Sequence, residues 1–162
     1  MAKGAGKFVF EYLKNGTVSD ANVDASASAQ NFDYTATSRF TLQRLNFVMV
    51  DGGAGYGEFG GLGAALTNGL KFQVLSGSTV LEDFGTDDVP IKTNEDFGAL
   101  AGVDNIIHPA AGDDSHPVRW TIAKAGKPML IEKDQIIRMI VNDDLSDLSK
   151  FRVMIQGVEG DL

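Results

Sequence analysis

The chain has 162 residues, 19 glycines, no cysteine and a formal net charge of −8. Lack of cysteine excludes disulfide scaffolds, thiolate metal sites and cysteine nucleophiles. The 14 Lys and Arg form no cluster, which argues against a nucleic-acid partner, since phosphate binding needs gathered cations.

A hydrophobic share of 43% over this length predicts one domain with a sizeable core. The N-terminus, MAKGAGKFVFEYLK, carries an apolar run that ends at Glu11, too short for a signal peptide. No segment approaches the roughly 18 apolar residues of a membrane helix, so no membrane partner is expected.

In chain order, KFVFEYLK (7–14) places Phe8, Phe10 and Tyr12 on one face of a strand, and Asn15-Gly16 signals a turn. The small, polar stretch TVSDANVDASASAQN (17–31) reads either as a flexible linker or as an arm that orders on a partner. A long strand is predicted over roughly 38–50. There Phe40 and Leu42 share one parity and Leu45, Phe47 and Met49 the other. The switch at Gln43-Arg44 predicts a bulge or bend.

VDGGAGYGEFGGLG (50–63) holds Gly55, Gly57 and Gly60 in G-x-G-x-x-G spacing. A dinucleotide site needs a helix directly after such a loop. Only GLGAALTNG separates Gly60 from the next strand, so a surface loop is expected instead. Tyr56, Phe59 and Leu62 within it are unusual for a solvated loop; they predict tucking onto the body or, in preference, contact with another chain.

Leu70, Phe72 and Val74 alternate with Lys71 and Gln73, and short strands follow near 79–83 and 89–93. NEDFGALAG (94–102) could hold one helical turn, and 103–117 reads as loop. Val118, Trp120 and Ile122 mark a half-buried strand, with Trp120 a core residue. MLIE, EKD and QIIRMIVN read as strand, turn and strand, with Ile137, Met139 and Val141 facing inward. DDLSDLS (143–149) is a tight connection, and Phe151, Val153 and Ile155 alternate in the last strand.

This gives about eight to ten short strands, hence an all-β antiparallel sandwich, jelly-roll type. An N-terminal arm and first strand take 1–31, and the sandwich takes 32–162.

No catalytic, cofactor or metal site is expected. His108 and His116 show neither H-x-H nor H-x-x-x-H spacing, and adjacency of Ser115-His116 to Asp113 and Asp114 does not make a triad. Asp20-x-Asn22-x-Asp24 opens like a calcium loop, but Ala25 replaces the required glycine and Asn31 the terminal glutamate. The pairs Asp87-Asp88, Asp113-Asp114 and Asp143-Asp144 read as turns and caps.

Several stretches together resemble one family. They are the short arm with NG and SDANVDAS, FTLQRLNFVMVD before a Gly-rich loop, LTNGLKF, IKTNEDF, and LIEKDQIIRMIVNDDLSDLSKFRVMIQG. The chain resembles the jelly-roll head decoration, or cement, proteins of tailed double-stranded DNA bacteriophages. The resemblance implies a non-enzymatic virion protein on the outer capsid surface. Such a protein binds the major capsid protein at capsomer junctions as a dimer or trimer and stabilises the shell.

The residues expected to make such contacts are Lys3, Lys7, Phe8, Phe10 and Tyr12 on the arm, with Tyr56, Phe59 and Leu62 on the loop. Deletion of residues 1–14 is expected to abolish shell binding and leave the sandwich folded. The alternatives are a phage tail, baseplate or receptor-binding jelly roll, and a carbohydrate-binding or cupin-like domain.

Overall fold

A computed structural model of the chain describes residues 6–21, 23–50, 65–84, 91–92, 103–105, 115–124 and 127–159. Among the described residues there are eleven strands and no helix. The first five are β1 (Phe8–Tyr12), β2 (Gln30–Thr35), β3 (Phe40–Val50), β4 (Lys71–Ser76) and β5 (Thr79–Phe84). The next three are β6 (Val103–Asn105), β7 (Ser115–Thr121) and β8 (Ala123–Lys124). Then come β9 (Lys127–Ile131), β10 (Ile136–Val141) and β11 (Lys150–Glu159).

The larger sheet runs β1-β11-β3-β7-β6, with β9 on the first part of β3 and β8 on β9. The smaller sheet runs β2-β10-β4-β5, and every pairing is antiparallel. Without the short β6 and the β8–β9 hairpin, eight strands remain. Numbered along the chain, they lie 1-8-3-6 in one sheet and 2-7-4-5 in the other. That nesting of first with last, second with seventh, third with sixth and fourth with fifth is the jelly roll.

Alternation dictates the packing. Phe47 on β3 meets Phe72 on β4 edge-to-face, with ring centroids 5.3 Å apart, and Trp120 on β7 meets the same Phe72 at 6.2 Å. Aromatic edges on faces thus join the two sheets. Phe72 and Phe47 are buried, and so are Ile137, Met139 and Val141 of β10 and Phe151, Val153 and Ile155 of β11.

The parity switch in β3 is a bulge. β11 pairs Gln156 with Arg44 and then Gly157 with Leu42, so Gln43 is the extra residue. One additional residue re-phases the strand, and Phe40, Leu42, Leu45, Phe47 and Met49 are all buried. At the same point β3 changes neighbour, from β9 at Phe40–Leu42 to β7 at Arg44–Val50.

The Asn15-Gly16 turn closes with Asn15 and Val18 exchanging backbone hydrogen bonds of 2.8 and 3.0 Å, and Gly16 takes the left-handed φ of 60°. The described residues between this turn and β2 lie along the body. Ala21 and Ala25 are buried. Ala21 N–H donates to Phe151 O (2.7 Å), and Leu145 N–H donates to Val23 O (3.0 Å). Asp20 accepts from Phe151 N–H (2.9 Å), and Asp24 accepts from Ser26 N–H (2.9 Å).

One local expectation is corrected. The stretch 103–117 is not all loop: β6 takes Val103–Asn105, and β7 begins at Ser115, so His116 is a strand residue paired with Met49. Pro117 hid this strand start, but among the described residues β6 covers only Val118–Trp120 on that side of β7. The missing N–H therefore sits beyond β6's reach. Near 89–93, only Ile91 and Lys92 are described, and Ile91 makes a lone bridge to Leu70. The helical turn expected at 94–102 and the Gly-rich loop after Val50 lie outside the described residues.

Candidate interaction surface

The outward residues of the larger sheet form one continuous face. Register sets its rows. Phe8 stands beside Val158, and Phe10 stands in line with Gln156, Arg44 and Thr121. Tyr12 is in line with Met154, Asn46 and Arg119, and Arg152 is in line with Val48 and Pro117.

Phe8 and Phe10 are 56% and 47% exposed, high for phenylalanine. Their rings stack with centroids 6.4 Å apart and planes 12° from parallel. Tyr12, Val48 and Met154 are half-buried beside them.

Three arginines, Arg44, Arg119 and Arg152, stand on this face although the chain is acidic, and at its far edge the register sets Asp104 of β6 opposite Arg119. Arg44 and Arg119 are exposed and form no ion pair with a described residue. Arg152 approaches Asp20 at 3.6 Å, and its Nε is buried with no hydrogen-bond partner among the described residues. Asn46 Nδ2 is in the same condition. A shallow depression of about 410 Å³ lies over this centre, lined by Phe10, Arg44, Asn46, Val48, Arg119 and Met154. Apolar rings, guanidinium groups and unfilled amide hydrogen-bonding capacity suit a protein surface as ligand better than a small molecule.

β1 ends the larger sheet, and beside it lies a narrow groove lined in part by Glu11, Tyr34, Thr37 and Glu159. Ser38 Oγ donates to Glu159 there. Burial raises the Tyr34 phenol above its ordinary 10.0; a Thr37 hydrogen bond opposes this, and the nearby Glu11 and Glu159 charges add to it. Where β1 ends, Lys14 and Asp33 exchange backbone hydrogen bonds of 2.9 and 2.7 Å. Asp33 also takes a two-pronged contact from Arg138, at 2.8 Å from Nε and 2.7 Å from Nη2. This contact raises the Arg138 pKa further above its ordinary value.

The smaller sheet carries a polar cleft of about 520 Å³, lined by Asn68, Lys71, Gln73, Asp83 and Lys92 among others. Among the described residues no aromatic lines it. Behind it the buried Asp143 carboxylate accepts from three consecutive backbone N–H groups: Thr67 (2.8 Å), Asn68 (3.0 Å) and Gly69 (2.9 Å). Asp143 therefore holds loop 65–70 and is not offered to a ligand. No group of three or more potential metal-ligating side chains occurs among the described residues.

The structure brings Phe8, Phe10 and Tyr12 together on the face; Lys7 stands just before β1. Lys3, Tyr56, Phe59 and Leu62 lie outside the described residues. Sequence reasoning missed Arg44, Asn46, Arg119 and Met154. Each has outward parity in its own strand, but only the strand order shows that they meet.

Comparison with known proteins gave no matching family model, no matching curated protein and no matching solved structure.

Proposed function

We propose that the chain is a structural binding protein that attaches to a protein assembly through the outer face of its larger sheet. We further propose that the assembly is the capsid of a tailed phage, which this protein decorates from outside. One observation carries the attachment: an aromatic and arginine-bearing face on a chain of net charge −8. Such a face complements an acidic, partly apolar protein surface. The family resemblance of the sequence supplies the shell and the major capsid protein as partner.

Deletion of residues 1–14 is a poor test, because Val9 and Leu13 belong to the core. The test begins with gradient-purified particles of the encoding phage, quantified by mass spectrometry. Many copies per particle, lost from particles carrying the double variant Arg44→Glu, Arg119→Glu, are the expected result. A few copies confined to the tail fraction would move the protein to the tail. Absence from particles would overturn the virion reading altogether.

A further inference from the structure

We propose that the free edge of β1 pairs antiparallel with the same edge of a second copy, with Phe10 on the two-fold axis. The inference concerns copy against copy and does not depend on what the assembly is.

Hydrogen-bond parity defines the edge. Glu159 N–H donates to Lys7 O (2.7 Å), and Leu13 N–H donates to Val153 O (3.0 Å). Odd positions of β1 therefore turn their backbone groups toward β11. Even positions turn theirs away, and Lys14 confirms this by bonding to Asp33 of the other sheet. Between these limits Phe8, Phe10 and Tyr12 present three N–H and three C=O groups with no partner among the described residues. An unpaired edge of this kind is a template for another strand.

The edge is self-complementary. A two-fold axis at Phe10 sets Phe10 opposite Phe10 and Phe8 opposite Tyr12, so the free groups of the two copies satisfy one another. The three cross-strand pairs are then all aromatic, the favourable kind. Lys14, already bonded to Asp33, falls opposite Gly6 of the second copy, where no side chain obstructs the corner.

Charge agrees. On the other side of the strand Val9 and Leu13 are buried, leaving Lys7 and Glu11 exposed. In this register each Lys7 stands one diagonal step from Glu11 of the second copy. That gives two attractive diagonals against one repulsive contact between the two Glu11.

The patch is small, so the dimer is expected at the weak end of specific interfaces, below about 1,200 Å². Sedimentation equilibrium over a concentration series should show a monomer–dimer equilibrium. Phe10→Pro removes only the N–H that points away from β11, so it should leave the circular dichroism unchanged and give a monomer at every concentration. Amide exchange supplies a readout on the unaltered chain. Phe8, Phe10 and Tyr12 amides should gain protection as concentration rises, while those of Val9 and Glu11 are protected throughout. A wild-type chain that stays monomeric, a Phe10→Pro chain that still dimerises, or a dimer with unprotected Phe8, Phe10 and Tyr12 amides would each overturn the proposal.

Discussion

Asp143 shows how much one carboxylate can organise. Its two oxygens receive the N–H groups of Thr67, Asn68 and Gly69, and Asn68 Nδ2 donates to the neighbouring Asn142 carbonyl at 2.6 Å. Replacing Asp143 by alanine leaves those donors unpaired beside a buried site, and should cost about 2–3 kcal/mol in urea denaturation. Asparagine should be little better, because its NH2 must face one of the same N–H groups. A near-neutral Asp143→Asn would show that the nest is not what holds the loop. Tyr34 gives a prediction in pH. Its folded-state pKa is raised, so its contribution is complete below pH 10.0. Above that the unfolded chain ionises first, and stability falls until the folded phenol ionises too. Tyr34→Phe should flatten this alkaline loss in a series of melts above pH 10.0.

At the scale of elements, the pairing of β3 with β11 depends on a glycine. A Cβ on Gly157 would press on the Thr41 carbonyl oxygen and lie 2.6 Å from Phe40 Cδ2. The backbone cannot yield there without disturbing the bulge, so Gly157→Ala should destabilise by about 1–3 kcal/mol with an unchanged urea m-value. Full stability in this variant would mean that the bulge accommodates a side chain. The bulge itself was legible in sequence, because a re-phased apolar parity has few other causes. Most strands were legible for the same reason: Leu70, Phe72 and Val74, or Phe151, Val153 and Ile155, can be buried together only in extended backbone. Pairing was not legible. Half-buried strands share one pattern, and nothing local in KFVFEYLK names β11 as its neighbour. The packing of 17–31 was hidden too, since Ala21 and Ala25 are small enough to read as linker yet are buried.

At the scale of the molecule, the core and the surface draw on different parts of the composition. Phe47, Phe72 and Trp120 link the sheets from inside, whereas Phe8 and Phe10 are left outside on the first strand. The candidate surface was half legible: the aromatic parity of β1 could be read directly, but the arginines facing it belong to strands distant in sequence. The nested order has a consequence in time. β4 and β5 form a local hairpin, while among the described strands β1 pairs only with β11, the last of them. Local pairs close quickly and distant ones late. During synthesis β1 leaves the ribosome before the other ten described strands and stays without β11 until that strand arrives, with Val9 uncovered until then and Phe8 and Phe10 exposed before and after. The strand best suited to joining other molecules is thus the last to be secured in its own. A nascent chain stalled before residue 150 carries a bare aromatic strand, the kind of segment that chaperones hold and that seeds aggregates when they do not.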